Sequence, residues 1–341
     1  MKEITVEDAL ESHHIYVDLR SPSEYAEDHL PGAVNLPLFN DEERAKVGTV
    51  YKQEGSLQAK RLGLEFVSLK LPRLIKEISD QTKGGPVVIY CWRGGLRSKS
   101  VSNVLEIMGV PTRRLQGGYK AFRRHVNNYF QETIPYKMVV IHGFTGTGKT
   151  DIIKILQSMD YPAIDLEGLA NNRGSVFGEV GLGEQPAQKH FETRIFSQLT
   201  EIPVGSTIVV EGESKRIGKN FIPESFFNAM KKGKKIMVQD DINNRVKRII
   251  SEYSKDTQEN RDALIHSLSF LTKRIGKSKV EQLTEMVIAG NYAPVVEYLL
   301  NNYYDPLYAH PFNKSDEFDI IINGANPVFA ANDVLRYLNY Q

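Results

Sequence analysis

Short apolar runs bounded by polar or glycine-rich segments recur along this chain, and between them apolar residues return at helical spacing. Residues 15–19 read as a buried strand ending in polar positions. Residues 86–90 read as a second strand, entered through Gly84-Gly85 and ended by Cys91. The stretch 98–108 alternates as an amphipathic helix and stops at Gly109-Val110-Pro111. This half closes near Leu115-Gln116-Gly117-Gly118-Tyr119, followed by a helix to about residue 129. After Pro135 and Tyr136 the pattern restarts, with strands expected at 138–141, 207–210 and 235–238. Residues 241–300 are mostly helical in pattern and rich in charge. Strand–loop–helix repetition predicts two successive α/β domains with parallel sheets, at 1–130 and 136–341, the second with a helical C-terminal region.

A chain of 341 residues suits two domains. No apolar run approaches the roughly 20 residues of a membrane span. The start, Met1-Lys2-Glu3-Ile4-Thr5, lacks the basic-then-apolar layout of a signal peptide, so a cytoplasmic, membrane-free protein is expected. With Cys91 as the single cysteine, an internal disulfide and a cysteine-based zinc site are excluded. The net charge of +1 gives no global attraction to nucleic acid, so any RNA contact must come from local patches.

Cys91-Trp92-Arg93-Gly94-Gly95-Leu96-Arg97-Ser98 follows a strand and opens a helix. Backbone N–H groups and the helix N-terminus there favour a thiolate over a thiol. Gly94 and Gly95 let the backbone curl, and Arg93 and Arg97 can grip an oxyanion. Cys91 is therefore the candidate nucleophile in an anion cradle.

The loop resembles that of the rhodanese superfamily, as do Asp18-Leu19-Arg20-Ser21-Pro22-Ser23-Glu24-Tyr25, the segment 29–37 and Leu115-Gln116-Gly117-Gly118 upstream and downstream of it. Simple sulfurtransferase rhodaneses usually have a six-residue cradle. Here a cysteine, five residues and an arginine make seven, which also resembles the phosphatase branch. A wider cradle suits a tetrahedral, phosphate-like donor such as selenophosphate, thiophosphate or a phosphate monoester.

Gly143-Phe144-Thr145-Gly146-Thr147-Gly148-Lys149-Thr150 fits the P-loop pattern between a strand and a helical run. Gly143, Gly146, Thr147 and Gly148 would wrap a diphosphate with main-chain N–H groups, Lys149 would reach its oxygens, and Thr150 could hold Mg2+. The accompanying acid is less clear. Glu211 ends a strand with Glu213 beyond it, and Asp165 with Glu167 is a second candidate; each is weighed against helix capping or solvent exposure.

Across nearly its full length the chain resembles the tRNA 2-selenouridine synthase family. The residues carrying this are the segments 18–37, 40–49 with Tyr51-Lys52-Gln53, 91–98, the P-loop, 165–178 and 211–218. Some relatives carry further cysteines; here no second sulfur of the chain can be required. The resemblance implies a tRNA bearing wobble 2-thiouridine, geranylated on sulfur from geranyl diphosphate and then converted to 2-selenouridine with selenophosphate. It implies diphosphate at the P-loop, and selenophosphate at Arg93, Gly94, Gly95 and Arg97 with Cys91 carrying a selenium adduct. A selenophosphate-supplying enzyme is a candidate partner. Two other classes stay open: a Cys91 sulfurtransferase or phosphatase with a nucleotide-regulated P-loop, and a kinase or ATPase with a rhodanese domain kept for binding.

Basic clusters fall in the second half: Lys215-Arg216 with Lys219, Lys231-Lys232-Gly233-Lys234-Lys235, Arg245-Val246-Lys247-Arg248, and Lys273-Arg274 with Lys277 and Lys279. Together with Tyr303, Tyr304 and Tyr308 they are candidates for anticodon-loop contact. For any single cluster a solvated helix face, and for the tyrosines core packing, is the stronger reading.

Overall fold

The computed structural model describes residues 2–339 except 13, 176, 253–256 and 308–317. Its contacts divide into two α/β units, one of Met1–Glu132 with Glu192–Ser197, the other of Thr133–Phe191 with Gln198–Gln341.

In the first unit the strands are β1 (Lys2–Ile4), β2 (Ile15–Asp18), β3 (Val34–Asn35), β4 (Val87–Tyr90) and β5 (Thr112–Leu115). They form one parallel sheet in the order β1-β5-β4-β2-β3. All four residues of β4 are buried, as a central strand covered on both faces requires. Helices α1 (Val6–Leu10), α2 (Pro22–Glu27), α3 (Asp41–Gln53), α4 (Ser56–Ser68), α5 (Leu71–Thr82), α6 (Leu96–Ile107) and α7 (Gly118–Tyr129) complete it. Helix α3 starts at a capping box, Asn40 Oδ1 accepting from Glu43 N–H at 2.8 Å and Glu43 Oε2 accepting from Asn40 N–H at 3.0 Å. Helix α5 buries Leu74, Ile75 and Ile78 at the expected three-to-four spacing and ends on Lys83 in the left-handed region.

The upstream signature organises the core of this unit. Asp18, at the end of β2, holds the buried Arg20 guanidinium through contacts of 2.6 to 3.0 Å. Arg20 also donates to the Asp28 carbonyl at 2.6 Å and lies 3.8 Å from the centre of the Tyr119 ring. Tyr119 donates its hydroxyl to Asp28 at 2.9 Å. Removing one partner of such a buried pair costs about 3–5 kcal/mol, so these charged residues are structural.

In the second unit β6 (Lys137–Gly143), β7 (Ala163–Ile164), β8 (Thr207–Glu211), β11 (Lys234–Gln239) and β12 (Ile320–Asn323) form a parallel sheet in the order β12-β11-β6-β8-β7. A small antiparallel pair, β9 (Arg216–Ile217) and β10 (Asn220–Phe221), stands apart from it. Helices α8 (Lys149–Ser158), α9 (Leu166–Ala170) and α11 (Glu224–Lys232) belong to the sheet region, while α10 (Gln188–Glu201) has its central residues Glu192–Ser197 in the first unit. Helices α12 (Ile242–Glu252), α13 (Gln258–Ser269), α14 (Thr272–Ile275), α15 (Lys277–Ile288) and α16 (Tyr292–Leu299) follow, and α16 runs into a π-helical turn at Leu300–Tyr304. They share an apolar core of their own, which includes Leu268, Leu283, Val287 and Leu299. The chain ends on α17 (Pro327–Asn339), which packs on α8 beside the sheet.

Candidate functional sites

In the first unit Cys91 follows β4 directly and is 3 % exposed. Its Sγ lies 3.3 Å from Ser98 Oγ, in the first turn of α6. The carbonyls of the loop are turned to donors elsewhere: Cys91 O accepts from Tyr119 N–H at 2.9 Å, Trp92 O from Lys120 N–H at 3.0 Å, and Gly94 O from Arg114 at 3.0 Å. Gly95 O accepts from the Ser98 hydroxyl and Lys99 N–H. The backbone N–H groups of residues 92–98 donate to no acceptor among the described residues. A run of consecutive unpaired amides at a helix start is an anion nest.

Two glycines make this curl. Gly94 sits at φ +65. At Gly118, φ +60, a Cβ would stand 2.2 Å from Cys91 O and 2.4 Å from Gly94 N, so backbone occupies the space a side chain would need.

The two arginines differ. Arg97 is committed to Glu24, at 2.7 and 3.5 Å, and Arg44 also reaches that carboxylate at 3.2 Å. Burial pushes the Glu24 carboxyl up, but the Arg97 pair outweighs it and holds the group below its ordinary value. Arg93 is exposed and makes no ion pair among the described residues. Gly94 and Gly95 lie in the nest.

In the second unit the P-loop joins the central strand β6 to α8. Gly146 (φ +81) and Gly148 (φ +86) adopt backbone conformations that side chains rarely take. Lys149 Nζ lies back over the loop, donating to Gly143 O at 3.0 Å and Phe144 O at 3.5 Å. Thr147 is buried and donates to Phe144 O at 2.9 Å, so it shapes the loop. The N–H groups of Thr145, Gly146, Gly148, Lys149 and Thr150 have no acceptor among the described residues. Thr150 donates to Glu167 Oε2 at 3.0 Å.

The acids sort by position. Asp165 is a helix cap: it accepts from Gly168 N–H at 2.7 Å at the start of α9. Glu211, fully buried at the end of β8, accepts from Glu167 N–H at 2.9 Å, and its other oxygen has no partner among the described residues. Burial pushes its carboxyl well up, with Asp165 and Glu167 adding to the shift. Glu167 and Glu213 are the acids that face the loop. Burial, then the Glu167 charge, raises the Glu213 carboxyl to about 8. Thr150 and Glu167 place two adjacent oxygens of the kind magnesium accepts beside the loop. Among the described residues no cluster of three or more His, Cys, Asp or Glu side chains could hold a metal by itself.

A cavity of about 360 Å³ opens on the P-loop. Its polar end is made by Gly143, Gly146, Gly148, Lys149 and Thr150, with Glu167, Arg173 and Glu213 beside them. Its other walls are mostly apolar: Ile249 and Ile250 from α12, Leu264 and Leu268 from α13, Val287 from α15, with Glu252 of α12 also at the lining. Helix α16 and the π-helical turn close it with Val295, Val296, Leu299, Leu300 and Tyr304. No such apolar pocket is legible in the sequence, because its wall is assembled from four helices that only the tertiary fold brings together.

The basic clusters also separate. Arg245 and Arg248 are turned to the P-loop, donating to Thr145 O and Gly146 O, and are not surface RNA contacts. Their three-residue spacing beside the buried Ile249 was the available signal. Lys247 of the same cluster is exposed. Tyr303 and Tyr304 pack in the helical core, and Tyr308 lies outside the described residues, as does Val176 of the segment 165–178. Among the described residues no helix is long and apolar enough to cross a membrane.

The tRNA 2-selenouridine synthase AAA domain model matches residues 136–338, and the rhodanese-like domain model matches residues 5–125. A tRNA 2-selenouridine synthase from Pseudomonas syringae pv. syringae (strain B728a) is 35% identical, over 86% of this chain and 87% of its own. One from Psychromonas ingrahamii is 33% identical over 87% and 88%, and one from Pseudomonas savastanoi pv. phaseolicola is 34% identical over 94% and 93%. With both halves of the chain matched in order and relatives of this identity spanning nearly all of it, the chain belongs to the tRNA 2-selenouridine synthase family.

Proposed function

We propose that this protein converts wobble 2-thiouridine of tRNA to 2-selenouridine through an S-geranyl intermediate, with geranyl diphosphate bound in the second unit and selenophosphate in the first. The observation that carries the reading is the cavity whose one end is a P-loop and whose far walls are mostly apolar side chains. A nucleotide would place a polar ribose and base against leucines and valines; an isoprenoid chain buries apolar surface there, at roughly 25 cal/mol per Å². The pocket lies within the usual size of small-ligand sites, about 300–1,000 Å³.

In the first step the thiouridine sulfur bonds to C1 of the geranyl group, the C1–O bond breaks, and its electron pair leaves with the diphosphate. The uridine N3 proton is lost to solvent, so the alkylated base is neutral. Lys149 and the open amides of the loop offset the charge that develops on the leaving diphosphate. Magnesium, held by Thr150 and Glu167, would add to that neutralisation. In the second step the Cys91 thiolate bonds to phosphorus of selenophosphate, the P–Se bond breaks and selenide leaves. Selenide bonds to C2, the C2–S bond breaks, geranylthiolate leaves and takes a proton from solvent, and the selenide proton passes to N3. Water then cleaves the S–P bond, releasing phosphate and restoring Cys91. The amide nest at residues 92–98 and the exposed Arg93 are suited to the phosphate portion, with Cys91 as the nucleophile of that site. Arg97 acts through Glu24 to hold the loop.

The test is ligand choice in the purified protein. Geranyl diphosphate should bind and be displaced poorly by ATP, and tRNA should not stimulate ATP hydrolysis. Robust tRNA-stimulated ATPase, or tight ATP binding that excludes geranyl diphosphate, overturns the reading. Thiosulfate or aryl-phosphate turnover by Cys91 without any change in tRNA would support the sulfurtransferase or phosphatase alternative instead.

A further inference from the structure

Helix α12 serves two walls of the second-unit site at once. Its Arg245 donates through Nε to Thr145 O at 2.9 Å. In a trans peptide the carbonyl and the following N–H point in opposite directions. Holding the Thr145 carbonyl therefore turns Gly146 N–H away from α12, where no acceptor occupies it among the described residues. Four residues on, Ile249 lines the apolar cavity, and its Cδ1 stands 2.8 Å from where a Cβ on Gly146 would be.

The same Arg245 forks onto Asp305, at 2.9 and 2.6 Å, with its side chain 6 % exposed. Asp305 directly follows the π-helical turn, whose Leu300 and Tyr304 line the cavity. Single π turns within helices are frequent at functional sites. The apolar wall is thus tied to the diphosphate loop through one planar, two-point ion pair, the geometry at which arginine is least replaceable.

We propose that the Arg245–Asp305 pair couples filling of the apolar cavity to the shape of the diphosphate cradle, so that the site favours a diphosphate with an apolar tail over free diphosphate. The inference rests on the prenyl-donor reading above. Neither residue lines the cavity; both are positioning residues. A tail packed on Leu300, Tyr304 and Ile249 stabilises the arrangement in which Arg245 holds Thr145 O, and a diphosphate bound to the loop stabilises it in turn. Such coupling is reciprocal.

The experiment titrates the full-length protein with geranyl diphosphate and, separately, inorganic diphosphate by calorimetry at fixed salt and Mg2+. The unsubstituted protein should prefer geranyl diphosphate. Asp305→Asn and Arg245→Lys, each checked for folding by thermal unfolding, should lower that preference about fivefold or more, the range of ordinary allosteric couplings. The double variant should lower it little further, because both changes break one pair. A folded variant with an unchanged preference, or with both ligands weakened equally, overturns the inference while leaving the prenyl-donor reading intact. If both variants unfold, hydrogen exchange of the unsubstituted protein decides. Geranyl diphosphate should protect residues 145–150 and 300–305 together, beyond the protection by inorganic diphosphate; protection of one segment alone overturns the coupling. A parent protein with no preference overturns the cavity reading and the inference with it.

Discussion

Gly118 offers a test of how the Cys91 loop is held, because it is remote in sequence and carries no chemistry of its own. Gly118→Ala acts in two ways. At φ +60 an alanine takes the left-handed conformation, which costs about 1–2 kcal/mol for a residue with a Cβ. The new Cβ would also stand 2.2 Å from Cys91 O and 2.4 Å from Gly94 N, both backbone atoms that cannot rotate away. Relieving such overpacking costs typically about 1–3 kcal/mol more. Gly84→Ala separates the two contributions: it has φ +73 and nothing within 4 Å of its Cβ position, so it bears the conformational cost alone. Denaturant unfolding should therefore place Gly118→Ala about 1–3 kcal/mol below Gly84→Ala. The clash lands on the carbonyl that Tyr119 N–H holds, so the amide nest shifts as well. Mass spectrometry of tRNA nucleosides should show selenation reduced by at least about tenfold in Gly118→Ala, since an ångström of misplacement can cost a hundredfold. Geranylation should be retained. Equal stability of the two variants with full selenation by Gly118→Ala would refute this account of the loop.

Three further expectations follow from the second unit. Leu268→Trp fills the apolar cavity: geranyl diphosphate affinity should fall at least about tenfold, the loss of roughly 1.4 kcal/mol or more of burial, while inorganic diphosphate affinity in the same titration holds. Glu213 has a carboxyl raised from 4.5 to about 8 by burial and by Glu167. A raised folded-state value contributes stability that is complete below pH 4.5 and lost as pH rises toward 8, so Glu213→Gln should flatten the decline of the melting temperature across that window. His142 has the opposite sign: burial, then Lys235, lowers it from 6.5 to about 4. Its contribution is present above pH 6.5 and lost as pH falls toward 4, and His142→Asn should reduce the acid-side loss in the same melting series.

Much of this fold was legible where one physical signal dominated. The all-apolar run before Cys91 became a central strand because a strand buried on both faces has no polar side to show. The P-loop glycines at 146 and 148 took positive φ, as their pattern requires. The two short edge strands β3 and β7, of two residues each, carry too few positions for any period to register. The α3–α4 pair went unread because α3 buries no side chain fully, leaving almost no apolar face to detect. In the site, the glycine loops and Cys91 announced themselves, whereas side-chain commitments did not. Arg97 is spent on Glu24, seventy-three positions away in sequence, and Arg245 on Asp305, sixty away. A cluster of cations reads the same in sequence whether it faces solvent or a buried carboxylate. The apolar cavity needed α12, α13, α15 and α16 brought together, which is tertiary information.

The division of labour between a sulfur nucleophile and a prenyl-diphosphate clamp is tested most directly by Cys91→Ser. The variant, 2-thiouridine tRNA, geranyl diphosphate and selenophosphate are incubated together, and the digested nucleosides are resolved by mass spectrometry. The account predicts that S-geranyl-2-thiouridine accumulates and 2-selenouridine does not form. Formation of 2-selenouridine at the unsubstituted rate, or loss of the geranylated nucleoside along with it, would contradict the account.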